Sequence, residues 1–284
     1  NKCQTLSVFT KHNHAMKKIL LVAAAIFCTQ LAYSQTDTPK IKALPQESKG
    51  IVYNKEFTVD FKMHTSGFGL GANWGKLKTY YRTRFFNLEL AEIKHPKEIR
   101  QSFDFRIPSS GRISRSFIFG KQNNLYVLHG GIGEKRYFSE KAINRGLAVG
   151  ISYSGGPMLG LLKPYHLDLI RFQEQDPTKF FISSEPFSDE NADKFLDLNS
   201  IYGASGFSRG FNQISIAPGA HAKFAIHLDW GAYDEFVKSV EAGVMVDVFF
   251  KTIPIMVSSP LLPDTGNQAV FVNLFVNLQL GKRR

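Results

Sequence analysis

The stretch VEAGVMVDVFFK, residues 240–251, decides the fold class. Val240, Ala242, Val244, Val246, Val248 and Phe250 take every second place, and Glu241, Asp247 and Lys251 fall between them. A period of two is the signature of a β-strand whose two faces meet different surroundings. The apolar face meets either a protein core or lipid. The rest of the chain decides between them.

The same alternation recurs from residue 57 onward. Phe57, Val59, Phe61 and Met63 interleave with Thr58, Asp60, Lys62 and His64; Phe86, Leu88 and Leu90 enclose Asn87 and Glu89. In AKFAIHLDW, Ala222, Phe224, Ile226, Leu228 and Trp230 oppose Lys223, Ala225, His227 and Asp229. Near the end, Val270 to Leu280 alternate with Asn273, Phe275, Asn277 and Gln279. Several of these runs last about ten residues, the length a tilted strand needs to cross a hydrocarbon layer, whereas soluble strands more often stop at about five or six. A shorter candidate lies near Phe117 and Phe119, and Gly155, Gly156 and Pro157 read as a turn between the strand ending at Tyr153 and another over 158–172. The count is about ten strands, within a range of eight to twelve.

Connection lengths are expected to sort by side. Short turns fall at 76–78, 122–124, 155–157 and 231–235, and longer connections at 94–114, 135–145, 173–210 and 253–268, with only the first connection on the long side, 65–67, tight. The two ends of a closed antiparallel outer-membrane barrel differ in this way, with short turns toward the periplasm and long loops outside. Trp74, Trp230 and Phe250 stand near run ends, where an interfacial aromatic girdle belongs.

The N-terminal region agrees. From Met16, two lysines, an apolar run over 19–28 and the small residues Ala32 and Ser34 have the layout of a secretory signal peptide, with cleavage expected after Ser34. Residues 1–35 are therefore read as upstream sequence plus this peptide, 36–50 as a flexible periplasmic leader rich in polar residues and broken by Pro39 and Pro45, and 51–284 as one barrel domain. Cys3 and Cys28 both precede the cut, which removes disulfide, zinc-thiolate and cysteine-nucleophile chemistry from the mature chain. Loss of Lys2, Lys11, Lys17 and Lys18 lowers the formal charge from +11 to +7. For a secreted chain that excess points to acidic lipid and lipopolysaccharide surfaces, or to other envelope or secretion proteins, and not to nucleic acid.

With this signal peptide, this alternation and the ending AVFVNLFVNLQLGKRR, the chain resembles the outer-membrane β-barrel families of Gram-negative bacteria, most nearly the small PorT-like or OmpA-like barrels. The resemblance implies an outer-membrane location and a last strand that closes on an aromatic residue. Here the final alternating residue is Leu280, followed by Gly281, Lys282, Arg283 and Arg284.

On this assignment the lumen is lined by Asp60, Lys62, His64, Glu89, Lys223, His227, Asp229, Glu241, Asp247 and Lys251, with Asn87, Asn273, Asn277 and Gln279 among them. Mixed charge in a narrow interior pairs up, because an isolated buried ion is costly. A structural polar core is therefore expected ahead of a narrow solute channel, and neither a catalytic site nor a cofactor is expected. GLGANWGK, residues 69–76, lacks the glycine spacing and the Ser or Thr of a phosphate loop, and its glycines read as inward positions that make room for bulkier neighbours. The alternative from another class is a lipid-modifying hydrolase using His129, His166 or His227 with a nearby serine such as Ser152 or Ser205, although no G-x-S-x-G is present. No metal site is expected: the histidines lack helical ligand spacing, and His221 and His227, six apart, are assigned to opposite faces. Asp189 is placed to cap a helix with Ala192, Phe195, Leu196 and Leu198 as its apolar stripe, and KHPKEIR, residues 94–100, adds a basic patch to an outer loop.

Overall fold

The computed structural model describes residues 53–79, 81–102, 114–138, 147–173, 176–230, 235–258 and 266–284. The signal peptide and leader expected over 1–50 lie outside the described residues. Eight strands close into an antiparallel barrel: β1 (Lys55–His64), β2 (Gly67–Thr79), β3 (Arg82–Ile93), β6 (Asn123–Tyr137), β7 (Ala148–Pro164), β11 (Ser215–Asp229), β12 (Phe236–Phe249) and β13 (Val270–Arg283). The ring is sealed where β1 meets β13, with Glu56 opposite Arg283 and His64 opposite Phe275. No described helix is long and apolar enough to cross a membrane, which says nothing of a barrel that crosses with strands.

The count of about ten falls to eight for two identifiable reasons. Phe117–Ile118 is only a two-residue strand, β5, paired with β4 (Arg100–Gln101) outside the barrel. Gly155, Gly156 and Pro157 are not a turn but the interior of β7, which runs unbroken to Pro164. Here β7 crosses Gly130 and Gly131 of β6 so closely that a Cβ on Gly156 would lie 2.3 Å from the carbonyl oxygen of Gly130. The glycines serve close backbone approach between strands, a second physical reason for glycine besides turning the chain.

This changes which connections share an end. One end holds the connections 94–122, 165–214 and 250–269 together with the tight Thr65–Ser66 turn. The other holds both chain ends of the barrel and the connections 80–81, 138–147 and 230–235. Residues 122–124, expected at the short-turn end, lead into β6 at the long-loop end, and the connection expected over 135–145 starts only after Tyr137 and sits at the short-turn end.

Sidedness follows the alternation. Along β1 every even residue from Glu56 to His64 is buried and every odd one exposed. Val59, Phe61, Leu70, Leu88, Phe224, Val244, Leu274 and Val276 all face outward and are exposed. Shifting any strand by one residue would exchange lysines and carboxylates for these apolar side chains, so the pattern fixes the register.

The long loops fold over their end of the barrel. Beyond β7, the chain forms a three-stranded sheet, β10–β8–β9, from β8 (His166–Gln173), β9 (Asp176–Pro186) and β10 (Ile201–Ala204), with the short helix α1 (Ala192–Phe195) between β9 and β10. Phe195, Leu196, Leu167, Leu169 and Ile201 pack with Phe117 and Val257, contributed by the other two loops. The expected 185–200 helix is thus reduced to one turn of α-helix flanked by 3-10 turns; Phe195 and Leu196 rest on the loop core, while Leu198 of the expected stripe is exposed.

Candidate functional site: the lumen and its closure

The lumen divides along the barrel axis into a polar column and an apolar plug. In the column the Glu89 carboxylate receives the ammonium groups of both Lys62 and Lys223, all three side chains being nearly inaccessible. Gly69 and Gly71 make room for it: a Cβ on Gly71 would lie 3.1 Å from that of Glu89, as the inward reading of these glycines expects. On the neighbouring strand, His129 Nδ1 lies 3.8 Å from Glu89 Oε1 and its Nε2 lies 3.0 Å from Asp247 Oδ1. The rings of His129 and His221 meet edge to face at 4.8 Å.

Nearer the short-turn end, Asp60 accepts from Asn73 at 2.7 Å and from Asn277 at 3.2 Å. His227 links Glu241, 3.0 Å from its Nδ1, to the Tyr137 hydroxyl, 3.2 Å from its Nε2, and that hydroxyl donates to Asp229 at 3.1 Å. Arg283 bridges Asp229 and Glu56 at 2.8 and 2.9 Å, and Lys135 joins Glu56 to Gln279 at 3.0 and 2.8 Å. Each charge in this column has a partner of opposite sign or a hydrogen-bond donor, the condition under which burial is tolerable. Within the column, a cavity lined by Asp60, Lys62, Asn87, Lys223, Glu241 and Asn277 has a volume of about 20 Å³, room for about one water.

Toward the loop end, the interior turns apolar. Ile93, Leu125, Val127, Met158, Leu162, Phe249 and Phe271 surround Ile253 and Ile255, which the loop after β12 folds inward. That segment is stitched in place by Asn267, which accepts from the backbone of Ile255 and Met256 and donates to the Met256 carbonyl. Asn123 donates to the Pro254 carbonyl at 2.7 Å, and Lys121 pairs with Glu98 at 2.6 Å. Burial pushes the Lys121 ammonium down from its ordinary range against the opposing pull of Glu98. On the loop sheet, two hydrogen bonds from Arg171 hold the Glu185 carboxyl below the usual carboxylate range. Glu185 is committed to Arg171 and Asn191.

Nine of the ten residues expected in the lumen are there. Lys251 is not: it lies two residues past the end of β12 and is exposed, because the strand stops at Phe249 and the alternation ends with it. Several lumen residues extend the expected set. Glu56, Lys135, Tyr137 and Arg283 continue runs that seemed to stop earlier, and His129 and His221 lie fully inside. His221 shares the inward face of His227, since an even spacing on a regular strand returns to the same side. None of the hydrolase histidines bonds a serine: His129 faces Asp247, His227 faces Glu241 and Tyr137, and His166 Nδ1 faces the Pro164 carbonyl. His129 lies opposite Met158, six residues along β7 from Ser152, or about 20 Å at the strand rise. The Ser205 hydroxyl is bonded to that of Ser184.

The outer-loop patch over 94–100 is less basic than its sequence: His95 is buried against the Gly266 carbonyl, Glu98 holds Lys121, and Lys94 lies 3.5 Å from Glu92.

No family model matches the chain, and no curated protein matches it in sequence. Among solved structures, the chain is similar to Ail, the attachment invasion locus protein of Yersinia pestis, with 9% identity over 82% of this chain and 99% of that one and a TM-score of 0.36.

Proposed function

We propose that this chain is an outer-membrane β-barrel of a Gram-negative envelope, without enzymatic activity, that acts as a closed structural or accessory component and not as a solute conduit. One observation carries the reading: the fold is inverted, with charged side chains paired inside and a continuous apolar surface outside. A soluble protein facing water with Phe61, Leu70, Leu88, Val244 and Leu274 would expose far more contiguous apolar surface than monomers keep. A closed barrel meets the demand that a membrane makes on every backbone polar group. Closure is supported by the paired column below and the Ile253–Ile255 plug above. In this reading the short-turn end, which also carries both barrel termini, faces the periplasm. The folded loops face outward, where lipopolysaccharide or an envelope partner would meet them.

The test is fractionation of cells expressing the full chain, followed by recording in planar bilayers. The expected result is recovery only with detergent from the outer membrane, heat-modifiable mobility of the folded barrel on gels, and no steady conductance steps. Protein released into the soluble periplasm without detergent would overturn the location, and reproducible unitary currents would overturn the closed reading.

A further inference from the structure

We infer that the short-turn end of the barrel carries an outward-facing binding surface for the phosphates of anionic phospholipids, built from Lys55, Lys76 and Arg84. The inference rests on the membrane reading above. Phe57, Trp74 and Phe86 stand in register on three adjacent strands, with ring centroids 5.6 and 6.0 Å apart. They form the aromatic edge of the apolar band. Two residues farther toward the short-turn end, the same outward face carries Lys55 opposite Lys76 and Lys76 opposite Arg84.

Like charges directly opposed across strands destabilise a sheet, so three cations in register call for an anion between them. The one described carboxylate in this row is Glu134, directly opposite Arg84 on the next strand. It is held by Arg82 and Arg136 at 2.6 Å each. Among the described residues, no ion pair holds Lys55, Lys76 or Arg84.

The spacing suits the partner. Two residues of strand are about 6.6 Å, the step from an aromatic girdle into the headgroup layer. Adjacent strands about 4.8 Å apart place the three cations across a span that one or two phosphodiesters can bridge. The Arg84 guanidinium offers a fork to phosphate oxygens and the lysines offer point charges. The row sits at the end with the barrel termini and short connections, which in the proposed orientation faces the phospholipid leaflet.

Trp74 reports on this site directly. The full chain carrying Trp230→Phe, so that Trp74 is the sole tryptophan, is folded into phosphatidylcholine vesicles containing a minor fraction of brominated phosphatidylglycerol or brominated phosphatidylcholine. Folding is verified by heat-modifiable mobility. The expected result is stronger quenching by brominated phosphatidylglycerol, weakened by added salt, with the preference falling about fivefold for each cation removed in Lys76→Gln and Arg84→Gln. Equal quenching by the two lipids in a folded, inserted barrel would overturn the phosphate site and leave the membrane reading standing. So would a preference unchanged in the double variant. A preference displaced more strongly by lipid A than by unlabelled phosphatidylglycerol would overturn the assignment to phospholipid. Failure to insert into either vesicle would overturn both.

Discussion

Glu89 is the residue on which the polar column depends most. Its carboxylate is the shared partner of two buried lysines, so Glu89→Gln leaves two ammonium groups with one neutral acceptor. Removing one partner of a buried pair costs about 3–5 kcal/mol, because an uncompensated charge remains behind. Urea unfolding of the barrel in lipid should show a loss of that size for Glu89→Gln, and a smaller one for Lys223→Met, which leaves the Lys62 pair intact. At this scale the sequence was legible wherever a run alternated for several residues: Asp60, Lys62, Glu89, Asp247 and Asn277 all face inward as their parity demands. Lys135 and Arg283 were missed because each lies beyond the last obvious apolar neighbour. The outward places beside them hold Glu134, Arg136 and Lys282, which erase the contrast that parity reasoning needs. Only the pairing shows that the strands continue there.

Among the elements, the loop sheet is hydrogen-bonded apart from the barrel and rests on its own apolar core. Phe195, at 0% exposure, anchors α1 against Leu167 and Leu169. Phe195→Ala should therefore cost about 3 kcal/mol of local stability. The loss should be read as faster amide exchange in β8, β9 and β10 with exchange in β12 and β13 unchanged. The same sheet should also respond to acid. Because Arg171 lowers the Glu185 pKa in the folded state, the pair's contribution is complete at neutral pH, above the carboxylate's unfolded range. It is lost as pH falls through the lowered folded value. Acidification should accelerate exchange in β8 and β9 of the natural chain, and Glu185→Gln should start loosened and lack that step. Neither this sheet nor the plug was legible in the sequence. The sheet's core draws on three loops far apart in the chain, and the plug sets one loop's Ile253 and Ile255 against residues of six different strands, so only the barrel's closure brings either set together. The strand miscount has a comparable origin, since Gly155, Gly156 and Pro157 satisfy a turn's composition while serving a close crossing with Gly130 and Gly131.

For the whole molecule, two surfaces decide behaviour, and they can be tested independently. Val244 and Leu274 are paired neighbours near the middle of the outward band. An Arg in place of Leu274 should weaken insertion by about 2–4 kcal/mol if that position lies near the bilayer midplane. The same change should leave a water-facing surface almost unaffected, so refolding titrations in vesicles separate the two surroundings. Conductance tests the interior. The plug residues Ile253 and Ile255 lie only at the loop end of the lumen, and beneath them the Lys62–Glu89–Lys223 cluster and the Tyr137–His227–Glu241 chain still project into it. Ile253→Ser with Ile255→Ser should loosen the loops yet produce no steady current, because the paired side chains beneath the plug stay in place. If that double variant conducted while retaining heat-modifiable mobility, the apolar plug alone would be the gate and the polar column would have to be an open pore.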